Sequence, residues 1–139
     1  MRFFLDANII ISGIIFKGNE HDLLLRRNKA MFITSEDIID EIQKTFELKF
    51  PDEKELGNAF LKILRLEIVK RKEYIKKLKN YTLVRDMNDK HVLAAAVESK
   101  SDYLISGDND LLTLEKYKTL PIITARAALS LLNHKSSSS

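Results

Sequence analysis

Short apolar runs alternate with stretches of helical periodicity along almost the whole chain. Arg2–Leu5 reads as a strand, and the residues from Ile9 to about Phe16 read as a helix apolar nearly all round, as a buried helix must be. Gly18 and Asn19 mark a turn before a short helix at His21–Arg27. Met31–Thr34 is the second strand, and Ser35 is a good N-cap for a helix reaching about Lys49. That helix has Glu36 and Asp37 in its first turn, where they suit the macrodipole, and Ile38, Ile39, Ile42 and Phe46 as its inward stripe. Pro51 ends the pattern, Glu53–Arg65 begins another helix, and Leu66–Val69 gives a short strand. Further on, Glu73–Leu78 is expected to be helical and Thr82–Val84 extended. Asn88–Ser99 is a helix whose Ala94, Ala95 and Ala96 permit close packing on a sheet. Asp102–Ser106 is a strand, Gly107 a turn and Asp108–Glu115 a short helix, with a last strand at Pro121–Thr124 and a last helix at Ala125–Asn133. The alternation predicts an α/β fold, with a mainly parallel sheet, in a single domain over residues 1–134 and a disordered tail over 135–139.

Composition narrows the chemistry. A chain of 139 residues with 45% apolar and 31% charged residues is an ordinary globular composition and large enough to bury a core. It contains no cysteine, which removes disulfides, thiolate metal sites and cysteine nucleophiles and accords with a cytoplasmic location. Neither a secretory leader nor a membrane span is expected, since the longest apolar runs fall far short of ~20 residues. The net charge is only +3, yet Lys62–Lys79 holds eight Lys or Arg against Glu67 and Glu73. A basic segment therefore sits on a mildly acidic body. Such charge is commonly a solvated helix face, but its single sign makes it a candidate nucleic-acid contact.

The acids fall where an α/β sheet binds ligands, beyond the carboxyl ends of its strands. Asp6 follows the first strand, between apolar segments where an unpaired charge is costly. Asp108 follows the Asp102–Ser106 strand, although it could equally cap the next helix. Asp89 opens a helix and can point to the same edge, with Asp86 as a helix cap. The helix after Met31–Thr34 starts there too, and spacing does not separate Glu36 from Glu41 as a fourth acid. Carboxylates gathered this closely repel one another unless a cation lies between them. Without cysteine or paired histidines (His21, His91 and His134 are dispersed), the oxygen set favours Mg²⁺ or Mn²⁺ over zinc.

These residues resemble a known family. RFFLDANIIISGII is similar to the opening of PIN domains, a strand running into Asp-x-Asn; TSEDIIDEI is similar to their second motif, with Glu41 as its acid. RDMNDKHVLAAAVESKSDYLISGDNDLL resembles the third and fourth together, with Asp89 before an alanine-rich helix and Ser106-Gly107-Asp108 where Thr-Gly-Asp is common. PIITARAALSLL fits the family's end, and the likeness keeps motif order over nearly the whole chain. Ala7 stands where Thr is usual, and Met87-Asn88 where a proline-containing turn is usual.

The likeness is greatest to PIN proteins of toxin–antitoxin pairs, the group including VapC-like ribonucleases. It implies a three-layer α/β/α fold with a five-stranded parallel sheet, and metal-dependent cleavage of RNA. Asp6, Glu41, Asp89 and Asp108 would then be the catalytic and metal-binding acids, with Asn8 and Ser106 as polar supports and Asp110 an accessory acid. Lys70, Arg71, Lys72, Lys76, Lys77 and Lys79 are the candidate RNA contacts. A cognate antitoxin and a homodimer are the partners implied. Two other readings compete: a PIN-like nucleic-acid-binding scaffold without catalysis, and a haloacid-dehalogenase-type phosphatase. The latter needs a second acid two residues after its nucleophile, where this chain has Asn8.

Overall fold

The computed structural model describes residues 1–82 and 84–137. Its centre is a six-stranded sheet in the order β3-β2-β1-β4-β6-β5. The strands are β1 (Arg2–Leu5), β2 (Met31–Ser35), β3 (Glu67–Val69), β4 (Tyr103–Ile105), β5 (Lys116–Tyr117) and β6 (Leu120–Ile123). Five of them are parallel, as the family likeness implied; the sixth, β5, is the correction. Asp108–Glu115 was expected to be one helix, but the helix stops at Leu112 and the chain returns as a short antiparallel hairpin. Glu115 and Lys118 make that reversal with φ of 61° and 55°. Left-handed residues at non-glycine positions leave no turn signal in the sequence.

Among the described residues, eight α-helices accompany the sheet: α1 (Ala7–Ile15), α2 (Asn19–Leu24), α3 (Glu36–Lys49), α4 (Lys54–Leu64), α5 (Arg71–Tyr74), α6 (Met87–Glu98), α7 (Asn109–Leu112) and α8 (Ala125–Ser137). Ser35 caps α3 as its sequence predicts, accepting from the Ile38 amide at 3.1 Å. The expected helix around Glu73–Leu78 divides into α5 and a 3₁₀ turn at Ile75–Asn80, and Pro51–Glu53 forms another such turn. Of the segment expected to be extended at Thr82–Val84, Thr82 lies in a turn, Val84 belongs to no strand, and Leu83 lies outside the described residues. Helix α8 runs past the expected boundary at Asn133 to Ser137, and residues 138–139 of the expected tail lie outside the described residues.

Helix α1 packs against α2, α3 and α4, with α8 on α2, while α5 and its 3₁₀ turn pack against α6. The sheet is thus a central layer flanked by helices. Consecutive residues Phe3, Phe4 and Leu5 are all fully buried, which a strand achieves only when both faces are covered. Ala94, Ala95 and Ala96 are fully buried too, consistent with the close packing their size allows. Gly13 permits a similar approach: a Cβ there would collide with Leu24 and come within 3.1 Å of the Glu20 carbonyl. Among the described residues, no helix is long and apolar enough to cross a membrane.

Candidate metal centre

From β1 the chain moves one way along the sheet to β2 and β3, and then returns past β1 to β4. A crevice opens at such a switch point beyond the carboxyl ends of the strands. The β1–β4 register pairs Leu5 with Ile105, so Asp6 and Ser106 leave the sheet side by side. The Asp6 amide donates to the Ile105 carbonyl at 3.0 Å, which fixes that exit.

Asp6 is 7% exposed, and both of its carboxylate oxygens are engaged. Oδ1 accepts from the Ala7 amide at 2.8 Å and Oδ2 from the Ser106 hydroxyl at 2.8 Å. The Ser106 oxygen in turn accepts from the Asp108 amide at 3.0 Å. Burial pushes the Asp6 pKa above the usual carboxylate range, the two hydrogen bonds pull it back, and the charge of Asp108 pushes it up again. For Asp108 the structure shows the capping reading, with its charge felt by its acidic neighbours. The side chain caps α7 through Oδ1, accepting from Asp110 at 2.9 Å, and its charge bears on Asp6 and on Asp89.

Asp89 is 6% exposed in the first turn of α6. Asp86 caps this helix, its Oδ1 accepting from Asn88 at 2.8 Å and Asp89 at 3.2 Å. Burial, followed by the charges of Asp108, Asp86, Asp110 and Asp6, raises the Asp89 pKa to about 6. Glu41 lies on the exposed side of α3, and its pKa is raised by loss of hydration and then by Asp6. Glu36, which spacing left equivalent, turns elsewhere and accepts from the Arg71 amide at 2.7 Å. The four acids thus share one field. Among the described residues, however, no three such side chains already stand close enough to enclose an ion.

The accessory residues divide. Ser106 bonds the Asp6 carboxylate directly, whereas Asn8 accepts from the Gly107 amide at 3.3 Å and steadies the turn between Ser106 and Asp108. Asp110 contributes its backbone to the Asp108 cap and its charge to Asp89. The basic segment is not one face, being spread over the end of α4, β3, α5 and the following 3₁₀ turn. Lys70, Lys72, Lys76 and Lys79 are exposed. Arg71 approaches Asp37 at 3.7 Å and Lys77 pairs with Glu98 at 2.9 Å.

Asp37 is the residue that sequence reasoning undervalued. Its Oδ2 accepts from the buried Tyr74 hydroxyl at 2.6 Å and lies 3.0 Å from His91 Nδ1, while Oδ1 faces Arg71. Burial, then the bond to Asp37, pushes the Tyr74 pKa up to about 12. Asp37 thereby ties α3 to α5 and α6, beside a hollow of about 470 Å³ that also borders Glu41, Lys44 and Lys49. Its position one helical turn before Glu41 was the available signal.

Residues 2–110 match the family model of the PIN domain. A VapBC2 structure from Rickettsia felis, bound to a DNA fragment from its promoter, is similar in fold with a TM-score of 0.61 and 19% identity, over 89% of this chain and 98% of that one. Mycobacterium tuberculosis VapC20, described as a sarcin-ricin loop cleaving toxin, gives 0.56 and 11%, over 86% and 98%. No curated protein matches the sequence at a significant level. With the family model spanning all four acids and most of the sheet, this chain belongs to the PIN-domain family.

Proposed function

We propose that the chain is a divalent-metal-dependent endoribonuclease and the toxin of a toxin–antitoxin pair. The observation that carries this reading is the shared field of Asp6, Glu41, Asp89 and Asp108 at the sheet's switch point. The pKa values of Asp6, Glu41 and Asp89 are each raised partly by a neighbouring acid. Clustered carboxylates are stabilised by a cation, and a purely oxygen donor set suits Mg²⁺ or Mn²⁺. Membership of the PIN-domain family supports the nuclease reading over the phosphatase one.

The bound ion would supply charge to the scissile phosphate and acidity to a water beside it. The chain's own residues do the positioning. Asp6 is held at both oxygens, Asp89 is nearly buried in the first turn of α6, Asp108 is fixed by its cap, and Glu41 is exposed on α3. Water attacks phosphorus in line and gives its proton to the acidic centre or to solvent, while the bond to the 3′ oxygen breaks and that oxygen takes a proton from solvent. This leaves 5′-phosphate and 3′-hydroxyl ends. Exposed Lys70, Lys72, Lys76 and Lys79 would hold phosphates outside the cleavage point, with Arg71 and Lys77 contributing less because acids of the same chain face them. A toxin's partner would be its cognate antitoxin, with a second copy of this chain as the other expected associate.

Total RNA incubated with purified protein and Mg²⁺ or Mn²⁺ should be cut at internal positions to 5′-phosphate ends. EDTA and Asp6→Asn should each abolish cutting. Equal cleavage by the variant and wild type would reject the acidic centre as the site, and binding without cleavage would favour the scaffold reading.

A further inference from the structure

The amino edge of the sheet, opposite the acidic centre, carries a second polar feature. Arg2, Arg27, Lys29 and Arg65 surround a hollow of about 600 Å³, and among the described residues no carboxylate lines it. Arg2 is engaged by Glu67 and the Ser99 carbonyl, while Arg27, Lys29 and Arg65 are exposed. Met31 and Leu64 add apolar surface, and Met31 is 48% exposed. The volume lies within the range of small-molecule sites and suits one nucleotide, with cations for its phosphates and apolar surface for its base.

The hollow is not isolated from the acidic centre. Arg65 also borders a hollow beside Lys62 and Ile68, Ile68 borders the next beside Lys70 and Asp40, and Asp40 borders the one at Glu41. Together they follow the outer side of β3, the edge strand.

We propose that this amino-edge hollow is a second contact site for single-stranded RNA, holding a nucleotide of the same strand that enters the acidic centre. The inference rests on the ribonuclease reading. Acids at the cleavage point repel the backbone everywhere except at the scissile group, so a cationic anchor along the strand's path supplies attraction that the centre lacks. The cations come from three separate stretches of sequence, Arg2, Arg27–Lys29 and Arg65, and form no run that charge patterning could find.

The test uses the full chain in EDTA, with a fluorescein-labelled single-stranded RNA followed by anisotropy over a range of salt. The variant is Arg27→Ala/Lys29→Ala/Arg65→Asn. Asn is chosen because Arg65 ends α4 with a φ of 50°, which Asn tolerates. A second variant, Arg27→Gln/Lys29→Gln, changes only exposed turn residues, and thermal melts check that both fold. Affinity should fall several-fold in the triple variant, and its salt dependence should flatten by about 2, or ~0.7 for each of three lost contacts. Cleavage of a dinucleotide, too short to reach the amino edge, should be unchanged in Mn²⁺.

Wild-type affinity and salt slope in both folded variants would overturn the proposal. Unchanged RNA binding with lost polyglutamate binding would overturn it in favour of an acidic protein segment. Asp6→Asn separates the two readings: if it cleaves RNA as wild type does, the assigned acidic centre is wrong whatever the anisotropy shows.

Discussion

Asp6 and Asp89 are both nearly buried acids, yet they are held differently. Asp6 has a donor on each oxygen, so Asp6→Asn can keep the Ala7 amide on its remaining oxygen and donate to Ser106. Removing its charge relieves the neighbouring acids, and the variant should therefore melt no lower than wild type in EDTA while losing cleavage. A marked fall in Tm would make Asp6 a structural residue instead. Asp89 gives a pH signature. Its folded pKa is about 6, above the unfolded value of ~3.9, so between these limits the folded state binds more protons. Metal-free protein should lose stability as pH rises through that window, by up to about 3 kcal/mol from this group, and level off above it. Asp6 and Glu41 add the same sign. Melts in EDTA at pH 5 and pH 7 check this: Asp89→Asn should reduce the difference, and stability rising across the window would contradict it.

At the scale of elements, Asp37 decides how α3, α5 and α6 meet. Asp37→Ala leaves the hydroxyl of a fully buried tyrosine without its acceptor, which costs about 1–3 kcal/mol. Adding Tyr74→Phe should then cost little, because the orphaned hydroxyl is gone. Denaturant unfolding of the two single variants and the double variant measures the coupling, and strict additivity would show that the bond contributes nothing. The same clamp seats α5 at the carboxyl edge, where Lys70 and Lys72 flank Arg71 near the Glu41 hollow. Lys72→Ala/Lys76→Ala/Lys79→Ala should flatten the salt dependence of RNA binding by about 2, or ~0.7 per contact. Cleavage at saturating RNA should change little.

For the molecule as a whole, the sheet brings its acids together against their mutual repulsion, and a bound cation should return that energy as stability. Mg²⁺ or Mn²⁺ should raise the Tm, with stabilisation of about 2.7 kcal/mol at a hundredfold excess over Kd. Asp6→Asn should abolish most of the increase. Calorimetric scans with and without metal are the check; an equal rise in the variant would place the ion elsewhere.

The sequence by itself determined the alternation of strands and helices, the Ser35 cap and the buried alanine run. These depend on periodicity and on bonds within a few residues. It also singled out Asp6 and Asp108, because an acid just past a strand is a local pattern, and Asp89, because it opens a helix and falls in a PIN-like motif. Only the tertiary structure decided the rest. The surroundings of Glu36 and Glu41, which spacing alone left equivalent, are set across the fold: the Arg71 amide for one, the charge of Asp6 for the other. The link from Asp108 to Asp6 depends on Ser106, which accepts from the Asp108 amide and donates to Asp6, a hundred positions away. β5, the Asp37 clamp and the cationic hollow were likewise invisible, because left-handed turns, long-range hydrogen bonds and charges from separate segments leave no periodic trace along a chain.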